Sequence, residues 1–282
     1  MLLRLEDIDH TRLRPGQSDA MVSALQWLGI DWDQLVVQSD LATQHEAAID
    51  NLAQQGRLYA CGCSRRLRRE EGRRSPDGGF AYNNRCRERG LTLENWRSCT
   101  KSIRVRLPDT RVELCDDGGL DLSQNPAMEM GDPIVRRSNG VLAYHLVVVV
   151  DDAASFVTNV IRGRDLAGST ATQVQLQTLL GMTQPTYRHH FLLLEAREDG
   201  GTEKLAKMHG SVPFESLAAQ FSGPVFCGKL ARLAGLREND EPCTPQELLP
   251  DFDWKHVRDD DVLYEANKAI PSNSPDQTHR QR

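Results

Sequence analysis

The alternation of hydrophobic and polar positions divides the chain into short α and β segments. Leu2 to Leu5 alternates like a strand and runs into Glu6, Asp7 and Asp9. From Gln17 to Leu28, Met21, Leu25 and Leu28 share one face of an amphipathic helix, with Ser18 as its cap and Gly29 as its stop. A second helix, roughly Gln44 to Gln54, turns Ala47, Ile49, Leu52 and Ala53 inward, and a strand at Leu58 to Ala60 leads into Cys61. Residues 102 to 150 look β-rich: Ile103, Val105 and Leu107 alternate with Arg104 and Arg106, and Arg111 to Leu114 returns after a Pro108-Asp109-Thr110 turn. Asn139-Gly140 is a strong hairpin signal between Ile134-Val135 and the run Val141 to Val150. That run is nearly all apolar and predicts a strand buried on both faces. A second strand, Val157 to Ile161, precedes a helix from near Ala171 to Leu180, capped by Ser169-Thr170 and stopped by Gly181. His189-His190 introduces an apolar strand, Phe191 to Leu194; Phe214 to Gln220 and Pro224 to Ala234 form short helices. Polar Ser272 to Arg282 reads as a disordered tail.

The segment Arg162-Gly163-Arg164-Asp165 therefore sits between a strand end and a helix start. In an open α/β sheet ligands bind at such a place, and a helix N-terminus favours anions.

Composition narrows the class. The 282 residues suffice for one large domain or two, and 39% apolar with 26% charged residues is ordinary for a globular enzyme. No apolar run approaches the roughly 18 residues that cross a bilayer, and no signal peptide is visible, so a cytoplasmic protein with no membrane partner is expected. The net charge of −6 gives no general argument for nucleic-acid binding. Locally the picture changes, because nine arginines lie between Arg65 and Arg89, able either to contact phosphate or to form a solvated face.

The same stretch holds Cys61, Cys63 and Cys86 among seven cysteines, an odd number in a chain without an export signal. Three thiolates are one short of a tetrahedral zinc set, and spacing alone leaves a metal site balanced against two buried thiols and a stray one. Cys99, Cys115, Cys227 and Cys243 read as small core residues. Lys204 and Lys207, beyond the Asp199-Gly200-Gly201 turn, can reach nucleotide phosphates or merely solubilise a loop.

Taken in order, LRLEDID, QWLGIDWD, CGC with YNNRC, the block from Gly131 to Asp152, VIRGRDL and KLAK resemble the catalytic domain of class I glutamyl-tRNA synthetases, over about residues 2 to 210. The cysteine arrangement, and the fewer than 80 residues after KLAK, resemble most closely the truncated paralogues of that family, which attach glutamate to the queuosine base of tRNA(Asp).

The resemblance implies a Rossmann-like α/β core over 1–210, with a zinc-bearing, β-rich insertion at 57–135, a helical region at 211–270 and a tail at 271–282. It implies Tyr82 as the fourth ligand of a Zn²⁺ held by Cys61, Cys63 and Cys86; the alternative for Tyr82 is a packed aromatic. Glu6, Tyr144 and Arg162 would line the glutamate pocket, Arg162 gripping a carboxylate as a lysine would not. The alternative for Arg162 is an ion pair with Asp165 or Asp152. KLAK resembles the KMSK signature with Ala206 in place of serine, which makes Lys204 and Lys207 the catalytic lysines and Lys207 the nearer to ATP and its Mg²⁺. Glutamate and tRNA(Asp) are the implied partners of a monomer.

One departure shapes the expectation. The family opens with a strand and helix carrying a HIGH motif, and this sequence begins directly before the second strand; His189-His190 and His209 lack the Gly-rich context of that motif. The chain as written is therefore expected to be impaired. The alternative is a non-catalytic relative that binds zinc, tRNA or an amino acid.

Overall fold

A computed structural model describes residues 1–11, 14–89, 93, 95–196, 200–205 and 214–263. The chain forms two compact units, one of Met1–Gln26 with Ile30–His190, the other of Trp27–Gly29 with the chain from Phe191 onward.

The first unit opens with a βαβ step. Strand β1 (Leu2–Leu5) pairs in parallel with β2 (Gln34–Val37) across helix α1 (Gln17–Trp27). Helix α1 already includes Ser18, so that residue is not the cap the sequence suggested. Helix α2 (Ala42–Gln54) buries His45, Ala48, Ile49, Leu52 and Ala53, while Ala47 faces solvent. An antiparallel sheet then forms from β3 (Leu58–Cys61), β4 (Ser102–Val105) and β5 (Ile134–Arg136), in the order β3-β4-β5. Helix α3 (Arg65–Glu71), capped by the Ser64 hydroxyl accepting from the Leu67 amide at 3.1 Å, and helix α4 (Pro126–Glu129) lie between those strands in sequence. Arg111 to Leu114 forms no strand; it makes single bridges, Val112 to Gln124 and, one residue on, Cys115 to Asp121. Arg111 and Glu113 are exposed there, so too little apolar surface is available to hold a ladder.

The valine run overturns the sequence reading. Asn139-Gly140 does make a turn, with the Gly140 amide donating to the Arg137 carbonyl at 3.0 Å, but only a single bridge, Arg136 to Leu142, follows it. The chain then becomes helix α5 (Tyr144–Ala154), in which Leu146 through Asp151 are all buried. A helix wrapped on every side by protein has no polar face, so its sequence looks like that of a doubly buried strand. The strand preference of valine is smaller than the packing energy gained, about 1.5–3 kcal/mol per buried side chain. Leu146 and Val149 join Ile49, Leu52, Ile103, Val105, Val135 and Leu176 in one core.

A second βαβ step completes the unit. Strand β6 (Asn159–Gly163) leads through a 3₁₀ turn, Arg164–Ser169, into helix α6 (Thr170–Leu180), and β7 (Thr186–His190) returns parallel to β6. The 3₁₀ turn runs straight into α6, so Ser169 stands at the cap position without donating or accepting there. Gly181 ends α6 in the left-handed conformation (φ 68°).

In the second unit β8 (Leu193–Ala196) lies between β9 (Thr202–Lys204), antiparallel, and β10 (Val262–Leu263), parallel. Helices α7 (Phe214–Gln220), α8 (Gly223–Ala234) and α9 (Pro245–Leu248) follow β9. Trp27 packs between Phe214 and Phe226, with ring centroids 5.7 and 5.5 Å away. Cys227 and Cys243 are buried together here, as expected, whereas Cys115 is exposed and Cys99 half-buried, which corrects their reading as core residues. The expected tail lies outside the described residues. Among the described residues no helix is long and apolar enough to cross a membrane.

Candidate amino-acid site and metal centre

Arg162 stands at the carboxyl end of β6, directly before the turn into α6. Its Nη1 donates to Gln173 Oε1 at 2.8 Å, its Nη2 to Thr170 Oγ1 at 2.8 Å, and its Nε to His189 Nε2 at 3.2 Å. All three acceptors are uncharged groups, two from the first turns of α6 and one from the neighbouring strand. Among the described residues no carboxylate lies within 4 Å of the guanidinium, although Asp152 feels its charge. Three of its five N–H groups are used, and the rest can still grip a carboxylate. Gln173 is fully buried and its Nε2 has no hydrogen-bond partner among the described residues, which adds a donor beside the guanidinium.

Neighbouring groups complete this corner. The Arg162 guanidinium sits 5.3 Å from the ring centroid of Tyr187. Burial pushes the Tyr187 hydroxyl above its ordinary pKa; Gln177 and Arg162 oppose this, and Asp152 and Tyr144 add to it. Tyr144, at the start of α5 and 39% exposed, therefore shares an electrostatic neighbourhood with Arg162. Asp152 accepts from Arg4 at 2.9 Å, and Arg4 reaches Glu6 at 3.3 Å, so Glu6 is linked to Asp152 through one guanidinium. Asp152 and Arg162 also act on each other electrostatically, so Glu6 connects to Arg162 through Arg4 and Asp152, and Tyr144 through the surroundings of Tyr187. Lys204 ends β9 in the second unit, and Lys207 lies outside the described residues.

The three cysteines converge as well. Cys61 closes β3, and the ligand atoms of Cys61, Cys63 and Cys86 all lie within 4.8 Å of one another. Cys63 and Cys86 Sγ are 3.5 Å apart, and the Cys61 thiol donates to the Tyr82 hydroxyl at 3.4 Å. Tetrahedral zinc with bonds of about 2.3 Å to sulfur separates its ligands by roughly 3.8 Å. The donor set therefore fits zinc in both chemistry and spacing. Burial raises the Cys61 thiol, but the Tyr82 hydrogen bond and the Arg104 charge outweigh it and bring the pKa down to about 7. Burial and the neighbouring Cys86 and Cys61 sulfurs push Cys63 up to about 11. Burial and the two thiols also raise the Tyr82 phenol, a balance that a divalent cation would reverse.

Two devices hold this centre. Arg104 is buried with its guanidinium 3.6 Å from the Tyr82 ring centroid. Asp132, fully buried, accepts from the Tyr59 hydroxyl at 2.7 Å, the Arg87 Nε at 2.8 Å and the Leu107 amide at 2.9 Å. A cavity of about 290 Å³ opens beside the cysteines, lined by Cys63, Leu67, Arg85, Cys86, Arg89 and Lys101 among others. Periodicity had no means of finding Asp132, Arg104 or His189, because each is recognisable only from partners distant in sequence.

Comparison with known proteins shows the family of the chain. The family model for the catalytic domain of class I tRNA synthetases (E and Q) matches residues 1–260. A glutamyl-Q tRNA(Asp) synthetase of Symbiobacterium thermophilum is 38% identical over 275 residues, covering 91% of this chain and 83% of that protein. One of Nitratidesulfovibrio vulgaris is 38% identical over 267 residues, covering 88% and 80%. A glutamate tRNA ligase from Elizabethkingia meningosepticum, solved in complex with its amino acid, shares the fold with a TM-score of 0.72 at 22% identity. That likeness covers 95% of this chain and 61% of the ligase. The chain belongs to the class I tRNA synthetases of the E and Q type, a family of ligases, and within it to the group of glutamyl-Q tRNA(Asp) synthetases.

Proposed function

We propose that the protein activates glutamate with ATP and transfers it to the queuosine base of tRNA(Asp). The observation that carries this reading is Arg162, a half-buried guanidinium held by neutral partners at a strand end over the Tyr187 ring, in a chain of this family. A glutamate carboxylate docks on the remaining N–H groups of Arg162, Glu6 takes the substrate ammonium and Tyr144 lines the pocket. The reacting carboxylate attacks the α-phosphate of ATP, giving glutamyl-adenylate and pyrophosphate. The acyl group then passes to a hydroxyl of the queuosine ring, releasing AMP. Lys204 and Lys207, with Mg²⁺, stabilise the charge that develops on the phosphates. No enzyme nucleophile is needed, and catalysis is positioning and electrostatics.

Zinc held by Cys61, Cys63, Tyr82 and Cys86 would serve as a structural crosslink. It would fix the arginines of α3 and of the 85–89 segment on one surface for tRNA phosphates. Arg68, whose pKa is lowered by burial and by Arg104 and Arg65, shows how densely positive charge gathers there. The protein is proposed to act as a monomer in the cytoplasm.

The test combines glutamate-dependent ATP/pyrophosphate exchange with acid-gel analysis of charged tRNA. The expected product is glutamate on queuosine-bearing tRNA(Asp) and none on tRNA(Asp) lacking the modified base. Charging of tRNA(Glu) instead would overturn the assigned acceptor, and absence of both exchange and glutamate binding would overturn the activity.

A further inference from the structure

The fully buried side chains of Asp116 and His189 are not used by the proposed chemistry, yet they lie directly behind Arg162. Asp116 Oδ2 accepts from the His189 backbone amide at 2.8 Å and faces His189 Nδ1 at 3.0 Å. Its Oδ1 accepts from the Gly118 and Leu120 amides at 2.8 and 2.9 Å. Both oxygens are engaged as acceptors, and these donors hold the carboxyl below its usual range despite a burial effect in the other direction. An ionised carboxylate can only accept, so the proton on the facing nitrogen belongs to His189 Nδ1.

The other face of the ring follows from that assignment. His189 Nε2 is 3.2 Å from Arg162 Nε and 3.2 Å from Thr170 Oγ1. Arginine Nε is a donor in every state, so Nε2 must present its lone pair. A proton on Nε2 would set two donors, and two cations, against each other. Burial, outweighing Asp116, and the Arg162 charge both hold His189 below its ordinary pKa, in the same direction. The parallel register of β6 and β7, which places Arg162 opposite His189, makes the contact a product of the sheet.

We propose that Asp116 and His189 form a positioning pair for Arg162, in which the carboxylate fixes the Nδ1–H form of the imidazole and Nε2 fixes the guanidinium for the substrate carboxylate. The inference rests on the reading of Arg162 as the carboxylate grip. Gln173 and Thr170 hold the two terminal nitrogens, and His189 holds the third corner, so the guanidinium plane cannot turn. A fixed plane favours a carboxylate over a carboxamide, because only the former accepts two parallel N–H groups without presenting a donor of its own.

The experiment measures affinity by calorimetry, on the full chain, for glutamate and for its two mono-amides, glutamine and isoglutamine. In the unsubstituted protein, at least one amide is expected to bind much more weakly than glutamate. In His189→Leu, glutamate binding weakens by about tenfold, as expected when a buried donor loses its acceptor, and the preference over that amide collapses. His189→Gln restores an acceptor near the Nε2 position and recovers most of both. A merely structural role for His189 would weaken all three ligands alike and leave the preference intact, which would overturn the proposal. Imidazole ¹⁵N shifts of the unsubstituted protein report the tautomer without any substitution; a proton on Nε2 at neutral pH would overturn it equally. Arg162→Lys separates the two levels: unchanged glutamate binding in that variant removes the carboxylate grip itself. A loss there with no effect in His189→Leu removes only the positioning pair.

Discussion

Gly168 lies so close to the backbone of Pro76 that a Cβ on the glycine would overlap the Pro76 carbonyl group. Gly168 belongs to the 3₁₀ turn between Arg162 and helix α6, and Pro76 to the loop between α3 and Tyr82, so this contact joins the segment that carries the cysteine cluster to the turn that follows Arg162. The Gly168 carbonyl also accepts from Gln124 Nε2 at 2.9 Å. A methyl group here must push one segment away. Gly168→Ala is expected to cost about 1–3 kcal/mol of stability and to weaken glutamate binding, read by denaturant melts and calorimetry. Unchanged values for both would show that the two segments move independently.

The metal centre makes a compositional prediction. Cys61→Ser is expected to reduce bound zinc from about one ion per chain to none, measured by elemental analysis after dialysis. Gly131→Ala tests the backbone instead, since a Cβ at Gly131, which has φ of 80°, would overlap the Tyr82 carbonyl. That variant should keep all three cysteines yet bind zinc more weakly in competition with a chelator. Full zinc retention in Cys61→Ser would remove the site.

His45 and Asp151 meet in the core, Nε2 to Oδ1 at 2.5 Å, with Gln38 donating to the other carboxylate oxygen at 2.6 Å. Arg4 stands 3.8 Å from the same carboxylate. Removing the imidazole leaves a buried acceptor short of a partner, so His45→Ala should lower unfolding free energy by about 1–3 kcal/mol or more. A melting temperature equal to that of the unsubstituted protein would show that water or Arg4 takes over the contact.

Asp50 supplies a pH dependence. The Arg97 guanidinium and the Trp96 indole N–H both donate to its carboxylate at 2.7 Å and hold its pKa at about 2. A carboxyl depressed on folding stabilises the protein above its unfolded value of 3.8 and loses that contribution as the pH falls towards 2. The stability difference between the unsubstituted protein and Asp50→Asn should therefore be fully present at neutral pH and shrink between about pH 4 and pH 2. Because the pair is partly exposed, added salt should also reduce it. A difference that stays constant across that acid range would contradict the assignment.

Local pattern determined a good deal of this protein. Leu2–Leu5, α1, α2, β6, α6 and the short helices α7 and α8 follow from periodicity and from glycine stops, since side-chain spacing and backbone conformation are properties of neighbouring residues, whereas the strand at Thr186–His190 was not legible and the one expected from Phe191 begins at Leu193. The cysteine spacing, with an arginine cluster around it, pointed to the three thiols that the fold brings together, and the polar run after β6 marked the place where Arg162 stands. The tertiary structure decided what periodicity cannot encode. Val141 to Val150 is a helix because it is packed on all sides, and burial on all sides erases the difference between periods of 2 and 3.6. Asp116 and His189, 73 positions apart, and Gly168 against Pro76 acquire their roles only when the chain folds back on itself. Hydrogen-bond direction and close contact are pairwise properties of distant residues, and no window along the sequence contains both partners.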